Sequence, residues 1–191
     1  KGLRKPLFRL ILLMIIVHIY CYEFCAAKIE KEIIRETATP RTLKYNKKEL
    51  IIFPYKYVRG NLIRYEEKEF SEKFPEALKY LNCHRAELDN RNKDKGARGF
   101  EYGRSQAIHS LNVPKLLMST VVTDKINIYS LNEKCIPYSG LYIVQIGELP
   151  LNKAVEILKD EKFLEYVFDI GIHVNGCSLR ITSNDIMDYH F

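Results

Sequence analysis

Leu10 to Tyr20 is apolar at every position except His18. So continuous a run carries no period that separates helix from strand, and residues 10–24 read as one apolar element of either kind. Further along, the pattern resolves. Lys28 to Glu36 predicts a short charged helix ended by Thr39-Pro40. Leu50 to Phe53 predicts a strand whose end Pro54 confines to a sheet edge, and Asn61 to Tyr65 a second strand reached through a turn at Gly60. From Ser71 to Asn90, Phe74, Ala77, Leu78, Leu81, Arg85 and Leu88 recur every three or four residues, the mark of one helix with a single buried stripe. Pro75 is tolerated in its first turn. Asn90 to Gly99 is a polar linker, and Ser105 to Leu111 predicts a short helix stopped before Pro114.

Leu116 to Thr123, Ile126 to Leu131 and Leu141 to Ile146 are rich in Val, Ile and Tyr and predict strands. Leu151 to Lys159 and Lys162 to Ile170 predict two short amphipathic helices. Asn175-Gly176 signals a turn before a strand over Ser178 to Ile181, and Ser183 is placed to cap a last half-helix toward Met187. Strands and helices do not alternate regularly. The expected class is therefore α+β, antiparallel strands packed with several helices. The stripe of Phe74, Leu78, Leu81 and Leu88 is expected to pack against the strands of residues 116–146.

Composition narrows the function classes. The 191 residues suffice for one domain with a real core, or one domain and an appendage. With 47% hydrophobic and 28% charged residues the chain is not a disordered one. The net charge of +6 is unevenly spread: residues 1–64 hold fourteen Lys/Arg against five Asp/Glu, and residues 65–191 sixteen against nineteen. A basic first third suits nucleic acid or a membrane surface, or is a solvated face. Five cysteines, at 21, 25, 83, 135 and 177, are too few and too scattered for a disulfide framework. They fit a reducing, cytoplasmic compartment. His18, Cys21 and Cys25 would share a helix face, but a metal there lacks a fourth ligand, so no metal site is expected.

The opening has the layout of a secretory signal peptide. Lys1, Arg4, Lys5 and Arg9 precede the apolar run, and Cys25-Ala26-Ala27 follow it. The run falls short of the about 20 apolar residues of a membrane-spanning helix, and no membrane partner is expected. With Lys rather than Met first, the chain reads as a fragment or a processed product. Residues 1–27 are taken as an apolar N-terminal segment, with residues 10–22 expected to be a remnant without its proper partner rather than a working signal.

Candidate chemistry concentrates in Gly99-Phe100-Glu101-Tyr102-Gly103-Arg104-Ser105-Gln106. Arg and Gln make paired hydrogen bonds to purine edges, Arg to guanine and Gln to adenine, and aromatics stack on bases or wedge between them. Glycines let such a loop approach a partner closely. Arg104 is the first candidate for a DNA contact, or else a brace for the glycine turns. Gln106 is placed to read adenine or to cap the loop, and Tyr102 to stack on a base or to fill the core. Lys115 is expected at a phosphate, a contact without sequence preference, or solvated at the start of a strand. Arg98, with Lys93 and Lys95, would line the same side of the loop. Gly103 and Gly140 read as backbone-geometry residues.

The order of these segments resembles the TaqI-like C-terminal specificity domain of adenine-specific DNA methyltransferases in restriction–modification systems. The likeness runs through Ile51-Ile52-Phe53-Pro54-Tyr55, Gly60 and Leu62-Ile63, then Phe74-Pro75, Tyr80-Leu81 and Leu88. It continues through Tyr102-Gly103-Arg104-Ser105-Gln106, Pro114-Lys115-Leu116, Ser139-Gly140-Leu141-Tyr142, the helical pair, and Asn175-Gly176 before Leu179-Arg180-Ile181. It covers residues 28–191 and implies a single DNA target-recognition domain. Double-stranded DNA would be its partner, together with a methyltransferase catalytic domain encoded upstream. Arg180 matches a late basic position of that family and joins the expected DNA contacts.

The catalytic half is not in this sequence. Methyltransferases of that class need Asn/Asp-Pro-Pro-Tyr/Phe, and no two of the seven prolines are adjacent. There is no Gly-x-Gly for a cofactor-binding turn. By the resemblance, S-adenosylmethionine would serve the absent catalytic domain and no cofactor would bind here. A magnesium nuclease would need carboxylates and a lysine on adjacent strands. Glu66-Glu67-Lys68 and Asp160-Glu161-Lys162 are short matches, of a kind that solvated charge produces often. The expectation is thus a DNA-reading fragment without catalytic residues. The competing readings are a small membrane-associated or exported interaction protein, which rests on the opening segment, and a single-strand or RNA module using the many tyrosines and phenylalanines.

Overall fold

The computed structural model describes residues 8–12, 29–103 and 107–190. Its architecture is α+β. A four-stranded antiparallel sheet lies at the centre, in the order β1 (Phe8–Leu12), β10 (Leu141–Gln145), β6 (Lys115–Met118), β8 (Ile128–Leu131). Its two inner strands are apolar from Leu116 to Met118 and from Leu141 to Val144 because both of their faces are covered. Leu116, Met118, Leu141 and Ile143 point into a cluster with α5 (Leu151–Lys159) and α6 (Glu161–Ile170), through Ala154, Leu158, Phe163 and Val167. Leu117, Tyr142 and Val144, on the other face, pack with Ile51, Phe53, Tyr55, Tyr102, Ile108 and Leu111. Gly140 takes φ +106, and a Cβ there would lie 2.7 Å from the Met118 carbonyl oxygen, so it is a backbone-geometry residue as expected.

A second sheet, in the order β3 (Glu49–Ile52), β2 (Ile34–Ala38), β9 (Ile136–Pro137), flanks the first. The charged helix expected over residues 28–36 is replaced by one 3-10 turn, Lys31–Ile33, followed by β2. Pairing on both sides, antiparallel to β3 and parallel to β9, overrides the weak local preference. Thr39-Pro40 ends this strand and also starts α1 (Pro40–Lys44). The Thr39 hydroxyl accepts from the Thr42 N–H at 3.0 Å, and the Thr42 hydroxyl from the Thr39 N–H at 2.9 Å, a reciprocal cap with Pro40 in the first turn. The Gly60 turn joins Asn61–Arg64 (β5) to a strand that the sequence did not reveal, Tyr55–Val58 (β4). Arg59 and Gly60 both have positive φ, as a two-residue hairpin turn requires.

The single helix expected over residues 71–90 is three: α2 (Glu67–Lys73), α3 (Pro75–Cys83) and α4 (Arg85–Asn90). The residue before a proline is disfavoured in helical geometry, and Phe74 leaves it at φ −132, ψ 57. Phe74, Ala77, Leu81 and Leu88 are buried and Leu78 is half-buried, so the stripe is real. It does not pack on residues 116–146, however. It closes a third cluster with Ile29, Ile33, Ile52, Tyr65 and Phe70. Ile51 and Ile52, on opposite faces of β3, join this cluster to the first.

A hairpin of β11 (Ile172–Asn175) and β12 (Ser178–Arg180) turns at Gly176 and continues through β12 to β7 (Val121–Val122). The last helix, α7 (Ser183–Met187), is capped by Thr182 rather than Ser183. Residues 13–28, which hold most of the signal-like opening and the His18, Cys21, Cys25 set, lie outside the described residues.

Candidate nucleic-acid interface

The segment from Arg91 to Leu111 is held at both ends by the core. On one side Tyr102 is inserted between Phe53 and Tyr55, with ring centroids 6.2 and 5.4 Å away. Its hydroxyl donates to the Ile52 carbonyl at 2.6 Å, and its backbone N–H donates to the Tyr55 hydroxyl at 2.9 Å. On the other side Ile108, which opens the 3-10 turn Ile108–Ser110, and Leu111, which follows it, are wholly buried. Arg104, Ser105 and Gln106 lie between these anchors and outside the described residues.

The loop leading to them is braced by charge. Glu101 is buried, at 2% exposure. Its carboxylate accepts from Arg64 Nε at 2.7 Å, from a terminal nitrogen of the same guanidinium at 2.6 Å, and from the Arg98 N–H at 2.9 Å. The two-point pairing raises the Arg64 pKa above its usual value. Arg98 donates to the Tyr65 carbonyl and to Glu66 Oε2 at 2.7 Å. Arg91 donates to the Gly99 carbonyl at 3.1 Å and to that of Glu101, and burial pulls its guanidinium pKa down. Stacking adds to this hold, with Phe100 against Phe70 at 4.1 Å. Gly103 is needed for close approach: a Cβ there would lie 2.4 Å from the Asn92 carbonyl oxygen, and its own carbonyl accepts from the Asp94 N–H at 2.6 Å.

This placement sorts the candidates. Arg104 and Gln106 keep their sequence-based roles as expectations. Arg180 is exposed on β12, opposite Val121. Arg98 is engaged in bracing the loop, and Lys93 pairs with Asp89 at 3.3 Å. Tyr102 and Lys115 need correction, because as folded neither presents its side chain to a duplex. Tyr102 is the core anchor just described. Lys115 is wholly buried, with Nζ donating to the Asn132 carbonyl at 2.7 Å and the Cys135 carbonyl at 2.9 Å. Loss of water around it drives its pKa down to about 8, and the same burial pushes the Cys135 thiol up to about 11. Lys115 shares its strand face with Leu117 and stands opposite Val144, so the period of the strand places it inside. Arg64, Arg91 and Glu101 were not singled out from sequence. The one hint was a carboxylate set between two aromatics in Phe100-Glu101-Tyr102.

The two nuclease-like tripeptides sit at helix starts. Glu66 precedes α2 and pairs with Arg98, and Asp160 caps α6 by accepting from the Lys162 N–H at 2.9 Å. Among the described residues there is no group of three metal-ligating side chains, and no helix long and apolar enough to cross a membrane.

No family model matches the sequence, and no curated protein matches it. Among solved structures, the fold is similar to part of the Type IIL restriction-modification enzyme MmeI in complex with DNA, with a TM-score of 0.54 and 13% sequence identity. The likeness covers 80% of this chain and 19% of that one. At such identity it is a likeness of fold, and this chain spans under a fifth of the enzyme's length.

Proposed function

We propose that this chain is the DNA target-recognition module of a restriction–modification enzyme. The observation that carries the reading is the fold. Four-fifths of the chain superposes on a small part of an enzyme whose structure was solved with DNA, and the order of sequence motifs independently resembles a specificity domain. In the finer reading the enzyme is an adenine-specific methyltransferase. Its catalytic domain, encoded upstream, would hold S-adenosylmethionine and extrude the adenine, while this module positions the duplex and reads part of a short site. Arg104 and Gln106 are the proposed base-reading side chains, on a loop that is braced from both ends. Arg180 is a proposed phosphate contact.

The test is selection of a duplex from a random pool by the chain alone or joined to its catalytic partner, followed by titration on selected and shuffled duplexes. A bidentate side chain supplies about 1–3 kcal/mol of discrimination. Arg104→Ala should therefore lose selectivity at one base pair, whereas Arg180→Ala should weaken all duplexes alike. Failure of both forms to bind duplex DNA would overturn the reading. For the finer assignment, an upstream reading frame encoding Asn-Pro-Pro-Tyr or its close variants is the expected finding.

A further inference from the structure

The segment Arg41 to Lys48 carries four cations, Arg41, Lys44, Lys47 and Lys48, on one short helix and the turn after it. All four are exposed, and among the described residues none has a carboxylate within ion-pair distance. Near the candidate loop, by contrast, Arg64, Arg85, Lys93 and Arg98 are committed to carboxylates and Arg91 to backbone carbonyls, while Lys95 is exposed. The geometry of the turn is fixed. Asn46 takes a left-handed φ of 53, and the Lys47 N–H donates to the Thr42 carbonyl at 2.8 Å. Between Lys44 and Lys47 stands Tyr45, 60% exposed, with Lys44 Nζ 5.8 Å from its ring centre.

Of these residues Arg41, Tyr45 and Lys47 form one wall of a cleft of about 910 Å³. The opposite wall is Ser119, Thr120 and Ser139-Gly140, the segments that follow β6 and precede β10. Ser119 Oγ accepts from the Val121 N–H at 3.0 Å, which leaves its proton to donate. Glu49 is the one carboxylate lining the cleft, and the Tyr138 hydroxyl covers it with a hydrogen bond of 2.9 Å. An open cleft of lysine, arginine and hydroxyl donors matches the sugar–phosphate backbone, which such groups hold without regard to sequence.

We infer that the cleft walled by Arg41, Tyr45, Lys47 and Ser119, together with Lys44 and Lys48 exposed on the same helix and turn, is a second DNA contact that grips the phosphate backbone of the duplex away from the base-reading loop. The inference rests on the DNA-recognition reading and names where most of the sequence-independent affinity arises. Unpaired cations release counterions from DNA, whereas those already held by carboxylates add little.

The experiment compares the full chain with R41Q/K44Q/K47Q/K48Q, and with the charge-matched control K79Q/K125Q/K159Q/K162Q, whose side chains are exposed elsewhere. Each is titrated across a salt series on the selected and shuffled duplexes and on a single strand. The cleft variant should keep its melting temperature and lose about tenfold or more in affinity on both duplexes, its log–log salt slope shrinking by about 2–4 at about 0.9 per phosphate. The control should lose much less. Equal losses in the two variants would reduce the effect to net charge and overturn the inference. So would unchanged binding by the cleft variant while the parent chain binds, an outcome that leaves the DNA-recognition reading standing. Preference of the parent for the single strand, with losses confined to it, would also overturn the inference. Absence of duplex binding by the parent chain, both alone and joined to its catalytic partner, would sink both.

Discussion

The guanidinium of Arg64 grips the buried carboxylate of Glu101 at two points, 2.7 and 2.6 Å, across 37 positions of sequence. The pair ties the β4–β5 hairpin to the loop that leads into Arg104. Arg64 is itself half exposed, and screening by water limits what the ion pair contributes. The buried end matters more, because Glu101 has no access to water in exchange. Glu101→Gln keeps the shape but removes the charge and one side of the fork. It should lower stability by about 1–3 kcal/mol, the range for losing charged hydrogen bonds at a buried site. Urea unfolding should show a lower midpoint with an unchanged slope. An unchanged midpoint would mean that the brace does not contribute to the fold.

Tyr102→Phe separates anchoring from DNA contact. The substitution removes the bond to the Ile52 carbonyl and leaves that acceptor without it in the core. Stability should fall by about 1–3 kcal/mol. Duplex affinity and selectivity, measured well below the melting temperature, should stay unchanged. Loss of selectivity without loss of stability would return Tyr102 to the interface.

Much of this architecture is legible in the sequence where burial imposes a period. The strands from Lys115 and Leu141 are covered on both faces and read as apolar runs. The helices from Leu151 and Glu161 each bury one stripe, and their spacing of three and four places them within a residue or so of their ends. Ile34–Ala38 shows no such period, because its strand character comes from partners on both sides. Phe74-Pro75 fits the inside of one helix start as well as the junction of two, so three helices merged into one. At the site, charge obscured burial. Lys115 looks like a surface residue until the alternation of its strand is extended back from Leu117. Arg64 and Glu101 have no local pattern at all, since only the fold brings them together.

Lys115 gives the fold a pH signature. Its folded pKa of about 8 lies below the ordinary lysine value of 10.5. Between those values the unfolded chain binds the proton more tightly, so unfolding becomes harder as pH rises. The burial cost is present in full below pH 8 and relieved by pH 10.5, a gain on the order of 3 kcal/mol at 1.4 kcal/mol per tenfold. Cys135 acts in the opposite sense. Its thiol titrates at about 11 when folded and 9 when unfolded, so stability is lost as pH rises through that window. The Lys115 charge holds the Cys135 thiol pKa down, so Lys115→Met raises it further. Subtracting the variant's curve from the parent's cancels the thiol's share over the range below pH 10.5, where the folded thiol stays largely protonated in both. The difference should rise from pH 8 to pH 10.5, and a flat difference would show that the ammonium is not desolvated.

Gly103→Ala tests whether the loop must be held closely for its neighbours to read DNA. The added Cβ would meet the Asn92 carbonyl oxygen at 2.4 Å, a backbone atom that cannot swing aside. The Asp94 N–H to Gly103 carbonyl bond at 2.6 Å would open as the two loop segments separate. Overpacking of this kind costs about 1–3 kcal/mol. Arg104 follows directly in the chain, so the displacement falls on the residue proposed to read a base, while the cations of Arg41 to Lys48 stay in place. Selectivity between selected and shuffled duplexes should therefore fall more than affinity for the shuffled one. Urea unfolding and anisotropy titrations on the same variant measure the two effects separately. Unchanged stability would show that residues 92–94 can move away from Gly103 at no cost. Lower stability with full selectivity would show that the close contact at Gly103 is not needed to hold the loop in position.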